Sequence, residues 1–511
     1  MFMLSLVPHT AKTAVYYALG FSLTLLVLLS LHHMQGVKLL LGDEVWASAA
    51  ANGSILDSLV FTLRWDVHPP IYYMMIHLWS YISMSDIWLL LNSAILHVSS
   101  VIMVFYYVYP KTNLRTGLFT ALLVLCCPLL FEYSNMLRMY AWLCFLSLAL
   151  LLVSDKIIAS QMQQKKFVFY YASIALLLCF SHVLGVFFLF FHFVYVGLTW
   201  LTKSKLKVLL HWSLLNLALA LVGSFAVINS LLRSVSHAIT PDIETIITSL
   251  SHVFFGETIP PFIGLPVLLG LIILALINER SRNYCIAFVL LPLIVFALTS
   301  YFVKPIWLDR NFTFMAAIAL LTFALSTTTN TIREAIAQYL LLILFAGNIY
   351  NLVHVTNAPP ANDQVSYSAL YEHLNTQDRS TKTCYMTQGQ MPMFWGALRY
   401  VHGYDWGAPM AVQPRANERW QAMIDKVPQA ISQFLDLNVQ TNYLEKNNLI
   451  ISSRFSSRCF TPDVQSAYII IEPKLVPPGL LQHAKVTLNT DKIAIIQTNK
   501  TQAKEFFIQA L

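Results

Sequence analysis

Charge is what this chain has least of. Asp, Glu, Lys and Arg supply 11% of its 511 residues, while 57% are hydrophobic. A soluble domain carries roughly a quarter charged residues, so a soluble globular protein of this length is excluded and a polytopic membrane protein is expected. Metal-type cysteine spacing is missing too. Of the seven cysteines, Cys126, Cys127, Cys144, Cys179 and Cys285 fall in apolar segments, where they read as small buried hydrophobes. No basic run interleaved with aromatics is present, which argues against a nucleic-acid partner. The net charge of +7 reads instead as the Lys/Arg excess of cytoplasmic loops. There is no internal repeat and no low-complexity tract. The apolar run after Lys12 ends in "LSLHHMQG", which offers no small-residue cleavage site, so an uncleaved first span is expected.

Long apolar runs are abundant. They occur near 13–33, 86–109, 117–133, 138–154, 167–181, 183–202, 208–230, 262–277, 284–303, 311–327 and 335–354, about eleven transmembrane helices. With the N-terminus inside, the cytoplasmic loops read "KTNLR", "DKIIASQMQQKK", "KSKLK", "NERSRN" and "TIRE", mostly Lys/Arg-rich as the positive-inside bias requires. An odd count puts the C-terminus outside. The stretch 69–82 is only about 14 residues, roughly 21 Å as helix against a hydrocarbon core of about 30 Å. Counting it as a span would turn the basic loops outward. It is therefore read as an interfacial helix of the first external loop, about 34–85, anchored by Tyr72, Tyr73, Trp79 and Tyr81.

The character changes after Val353. A transmembrane domain over 1–356 is followed by a linker at 357–364 and a small extracytoplasmic α/β domain at 365–511. "TKTCYMT", "NNLIISSRF", "SAYIIIEP" and "KIAIIQT" read as strands, and "NERWQAMIDKVPQAISQFLDL" as an interrupted helix. Cys384 and Cys459 could pair there, or stay as two thiols.

The span interiors carry no Asp, Glu, Lys or Arg, and only His97 and His192 sit midspan, where a packing role is the simpler reading. Transporters keep ionisable groups at the midplane. Here the acids and bases gather in external loops, which favours chemistry at the outer surface. "GDEVW" puts Asp43 and Glu44 just after the first span, with Asp43 able to cap a short helix ended by Asn52-Gly53. Such a carboxylate could accept a proton from a hydroxyl, or the pair could hold a divalent cation that binds phosphate. In "DVHPPIYY", Asp66 and His68 lie on one side of an extended segment that ends at two prolines. Arg138, Lys304 and Arg310 stand at span ends, suited either to headgroups or to a phosphate leaving group.

These residues together resemble the membrane-embedded glycosyltransferases of the C superfamily, the branch with protein O-mannosyltransferases and the aminoarabinose transferase of lipid A. "GDEVW" resembles its Asp-Glu after the first span. "DVHPPIYYMMIHLW" resembles its Asp-x-His-Pro-Pro run, "YSNMLRMYAW" its Arg-Met-Tyr motif and "FSHVLGVFFLF" its Thr-His-Tyr-Phe-Gly type. "DRNF" resembles a weaker Arg-Tyr pattern. The resemblance covers roughly 10–350. It implies a polyprenyl-phosphate sugar donor, a lipid, glycan or protein acceptor, and a bacterial inner membrane with the active site facing the periplasm. Asp43 would be the base, supported by Glu44 beside Asp66 and His68. Arg138, Tyr140, Lys304 and Arg310 would hold the donor phosphate. Where relatives carry an acid two residues before the arginine, this chain has Met136, and Glu132 lies one turn earlier. Val183 replaces the tyrosine after His182, a further site candidate. No cofactor other than a divalent cation is implied. The alternatives are a flippase for lipid-linked sugars or a glycan polymerase or ligase.

Overall fold

A computed structural model of the chain describes residues 68–201, 205–231, 239–327 and 332–357, together with 43–50, a few positions from 55 to 62, and parts of 369–503. The chain forms two compact units. One holds Val67–Tyr72 and Ile87–Ala358; the other holds Gln35–Asp66, Tyr73–Asp86 and Pro359–Leu511.

The first unit is helical. Among the described residues, five helices are long and apolar enough to cross a membrane: Asp86–Lys111, Tyr140–Ser160, Leu206–Val227, Arg282–Phe302 and Ile332–Val355. The chain is an integral membrane protein. The predicted run 117–133 is not one straight span. Cys127 is extended and Pro128 opens a new helix, so Leu114–Cys126 and Pro128–Ser134 meet at a 62° bend. Counted as one, they make a sixth span. Gly185–Leu201, Pro261–Ile277 and Ile243–Phe255 are apolar but shorter. The described residues thus carry five or six of the eleven predicted spans by length, and the first, at 13–33, lies outside them.

Polar side-chain caps set two helix starts among the described residues. Asn113 accepts the Thr116 N–H at 2.9 Å, and Asp242 accepts that of Thr245 at 2.7 Å. The centre of the unit is Thr313–Leu325, in which every residue is buried. A helix apolar on all sides belongs in a core. Ala316, Ala317, Ala319 and Ala324 let neighbours approach closely, which drives helix association where lipid removes the hydrophobic term. Phe188 and Phe191 of Gly185–Leu201 pack on Phe314, the latter stacked at 5.8 Å. His97 meets the Leu125 carbonyl at 3.3 Å and His192 the Ser147 hydroxyl at 3.3 Å, as packing histidines do.

Three readings change. The predicted loop at 155–166 begins inside the helix Tyr140–Ser160, which carries Asp155 and Lys156 in its last turns. The stretch between the predicted spans 208–230 and 262–277, read there as connection only, contains the helix Ile243–Phe255. The short helix after the prolines is real and runs Ile71–Ser80, about 15 Å long and too short to span. Tyr72 and Tyr73, however, are wholly buried and cannot serve as headgroup anchors, whereas Tyr81 is exposed.

The second unit contains a six-stranded mixed sheet in the order β2-β3-β1-β4-β6-β5. β1 (Thr383–Thr387) runs parallel to both β3 (Leu449–Ser452) and β4 (Ser466–Ile471). β2 (Tyr443–Lys446), β5 (Lys485–Asn489) and β6 (Ala494–Gln497) pair antiparallel. The parallel pairs need crossover connections. Cys384 on β1 is disulfide-bonded, and Cys459, with which it could pair, lies outside the described residues. The other five cysteines named above are buried free thiols. The predicted helix at 417–437 lies outside the described residues.

Candidate active site

Four segments that are far apart in sequence meet at one end of the helical unit. The segment at His68 is tied down by the Ile71 N–H, which donates to the Phe180 carbonyl at 3.0 Å. This brings the His68 ring onto that of His182, with centroids 4.7 Å apart. Tyr140 also approaches His182, with ring centroids 5.9 Å apart, and packs edge-on to Tyr133 at 4.6 Å.

The loop carrying His182 is held firmly. The Trp142 indole N–H donates to the Ser181 hydroxyl at 2.8 Å, and that hydroxyl donates to the Leu177 carbonyl at 2.5 Å. Gly185 closes the loop against the preceding helix. A Cβ there would strike the Leu178 carbonyl and come within 2.5 Å of Cys179 Cα, so only glycine permits this approach. The Leu184 N–H donates to His182 Nδ1 at 3.1 Å, which leaves the ring proton on Nε2. His182 is only 3% exposed, and Nε2 meets no hydrogen-bond partner among the described residues. Burial, followed by the fields of His68, Arg138 and Arg310, holds the His182 pKa well below its ordinary value. The ring is a neutral donor.

The two arginines come from separate loops. Arg138 is buried in the turn between Pro128–Ser134 and Tyr140–Ser160, where Ser93 Oγ donates to the Met136 carbonyl at 2.6 Å. Arg310 lies in the turn Asp309–Phe312. That turn is fixed by Trp307, whose indole donates to Ser249 at 3.0 Å, and by His252 beside Asp309 at 3.4 Å. Both arginines act electrostatically on Tyr133 as well as on His182. Sequence reasoning did not find Tyr133, Trp142, Ser181 or the helix that supplies Ser249 and His252. For the last, the Asp242 cap ahead of an amphipathic run was the available signal.

Lys304 is half-buried in the same loop as Arg310, and burial lowers the pKa of its amine. Glu132 is exposed on Pro128–Ser134, one residue before Tyr133. Asp43 and Glu44 belong to the second unit. They fill the first turn of the helix Asp43–Ala50, where carboxylates suit the dipole, rather than one of them standing before it as a cap. Asp43 is exposed and Glu44 buried. Consecutive helical side chains diverge by about 100°, and among the described residues no group of three or more His, Cys, Asp or Glu is placed to hold a metal ion. Asp66 lies outside the described residues.

No family model matches the sequence, and neither does any curated protein. Solved structures do match. ArnT from Cupriavidus metallidurans bound to undecaprenyl phosphate superposes with a TM-score of 0.59 at 12% identity, over 96% of this chain and 99% of that one. The chain has the GT-C fold. The apo state of the same ArnT gives 0.58 at 10% identity, with the same coverage. An Archaeoglobus fulgidus oligosaccharyltransferase tethered to an acceptor peptide gives 0.49 at 12%, over 90% of this chain and 70% of that one. Within this fold the histidine and arginine loops lie together at one end of the helical unit.

Proposed function

We propose that the protein is a membrane glycosyltransferase. It moves a sugar from a polyprenyl-phosphate donor to an acceptor hydroxyl at the periplasmic face of a bacterial inner membrane. The observation that carries this reading is the gathering of His68, Arg138, Tyr140, His182 and Arg310 at one end of a GT-C helical unit. Two guanidiniums and a neutral imidazole donor suit a phosphate ester, whose lipid tail can stay among the apolar helices. The disulfide at Cys384 supports an oxidising compartment for the second unit.

In the proposed reaction, Asp43 takes the proton of the acceptor hydroxyl as its oxygen attacks the anomeric carbon. The bond from that carbon to the phosphate oxygen breaks, and the polyprenyl phosphate leaves with the electron pair. Arg138 and Arg310, with Tyr140 and Lys304, take up the charge that develops on the leaving group. Glu44 supports Asp43, and Asp66 and His68 complete the proposed catalytic set.

The test is Asp43→Asn, assayed with an undecaprenyl-phosphate sugar. Loss of a general base lowers transfer by about 10²- to 10⁴-fold while donor binding persists. Full activity in this variant removes Asp43 from the base role. Donor movement across acceptor-free vesicles without transfer would make the chain a flippase instead.

A further inference from the structure

A groove with different chemistry lies where the helix Tyr140–Ser160 turns into Lys165–Cys179. Gln161 and Met162 both adopt left-handed backbone, at φ 50° and 63°, and reverse the chain sharply. Beside them the helix Leu206–Leu231 packs on Lys165–Cys179. Tyr171 lies on Trp212 at 4.6 Å and donates to Asn216 Oδ1 at 2.8 Å. Towards the loop ends from this zipper the helices leave a groove of about 630 Å³, within the roughly 300–1,000 Å³ range of small-molecule sites.

The groove is two-toned. Lys165, Lys207 and His211 line it together with Gln161 and Gln163, and no carboxylate does. Among the described residues neither lysine forms an ion pair. The His211 Nδ1–H donates to the Lys207 carbonyl at 2.9 Å. The remaining wall is apolar, from Val168, Phe169, Ala172 and Val208. Lys165, Val168 and Ala172 fall at i, i+3 and i+7, so one helix face runs from a cation to hydrocarbon over about 10 Å. That gradient continues on the exposed surface, where Phe169, Leu206, Leu210 and Leu214 are all more than half exposed.

We infer that this groove binds an anionic phospholipid, its phosphate on Lys165 and Lys207 and its acyl chains along Val168, Phe169 and Ala172. A free phosphate would satisfy the lysines and leave the apolar wall in water. A neutral lipid would leave the cations uncompensated. Only an anionic headgroup joined to hydrocarbon matches both halves, as basic pockets between membrane helices do. The groove lies at the loops read as cytoplasmic, and the inference does not depend on the transferase reading.

The experiment is native mass spectrometry of the full chain released from nanodiscs of phosphatidylcholine and phosphatidylglycerol in equal parts. The wild type retains phosphatidylglycerol in preference to phosphatidylcholine. The double variant Lys165→Gln/Lys207→Gln, at exposed positions that carry no packing, retains roughly 10- to 30-fold less. Arg280→Gln/Arg282→Gln, an equal charge loss in another basic loop, keeps wild-type retention. Equal retention of both lipids by the wild type overturns the assignment. So does an equal loss in the arginine variant, which would mark a diffuse basic surface. Full displacement by millimolar inorganic phosphate overturns it as well, by making this a site for the free ion.

Discussion

Two polar clusters sit on the same pair of helices, Tyr140–Ser160 and Gly185–Leu201, and are finished in opposite ways. Asp155 lies fifteen residues beyond Tyr140, about 22 Å along the helix. Its Oδ2 accepts from Tyr107 at 2.8 Å and from Lys111 at 2.5 Å, and its Oδ1 from Tyr195 at 2.7 Å. Tyr107 and Tyr284 then meet oxygen to oxygen at 2.6 Å. The network joins four helices and uses both carboxylate oxygens. At the other end, His182 has one nitrogen filled by its own loop and one buried with no hydrogen-bond partner among the described residues. Buried polar groups that the chain completes are structural, whereas a leftover donor among cations is what a ligand fills.

The contrast breaks most clearly at Arg138. Arg138→Ala should lower transfer by at least about 100-fold, the scale of losing one donor to developing charge, with little change in thermal unfolding of the detergent-purified protein. Arg138→Lys should recover only part, because an ammonium cannot replace the fork. Asp155→Ala should do the reverse. It strands two tyrosine hydroxyls and Lys111, at about 1–3 kcal/mol for each buried group. Asp155 and Lys111 are 24% and 35% exposed, so the ion pair is discounted for solvent screening. About 2–4 kcal/mol of destabilisation remains, with transfer per folded molecule unchanged. Lost transfer at wild-type stability would show that the distant network belongs to the chemistry.

The same contrast explains what was legible in the sequence. Apolar runs announced the helices, because hydropathy and length are local. The four quoted β-runs are β1, β3, β4 and β6, whereas "YLEK" (β2) is short and half charged and "KVTLN" (β5) alternates cleanly over only five residues, so neither stands out. Arg138 and Arg310 were visible as charges at span ends, but the pairing of His68 with His182 was not. It depends on the Ile71 N–H reaching Phe180, a contact across more than a hundred residues. Charge in a hydrophobic run reads as its end, which is why the sequence alone places Asp155 in a loop. Three tyrosines, each unremarkable in its own span, make the carboxylate tolerable inside the helix. Pro128 is visible in the sequence, but apolar composition continues through the 62° bend and hides it.

Gly185→Ala should have a smaller effect that falls on the ligand-facing side. The added methyl meets backbone atoms of Leu178 and Cys179, which cannot rotate away, so the loop 180–184 must shift. Overpacking of this kind costs about 1–3 kcal/mol. Because Trp142 holds this loop from the neighbouring helix through Ser181, transfer should fall by roughly tenfold or more through misplacement of His182. Unfolding and transfer assays on one preparation would separate the two losses.

The smallest effect is a pH slope from His182 itself. Its folded pKa is held far below normal, by burial first and then by His68, Arg138 and Arg310, while the unfolded chain titrates near 6.5. Above about pH 6.5 both states are neutral there, and the group adds no pH dependence. Below it the unfolded state binds a proton that the folded state refuses. Stability therefore falls as the pH is lowered, by up to about 1.4 kcal/mol per unit from this group. His182→Gln should flatten that part of the unfolding profile between about pH 5 and 7.5. Its amide can still donate, so it should keep more transfer than His182→Phe. A slope that survives in His182→Gln assigns the acid sensitivity to another group, and with it goes the physical reason for treating this imidazole as an uncharged donor.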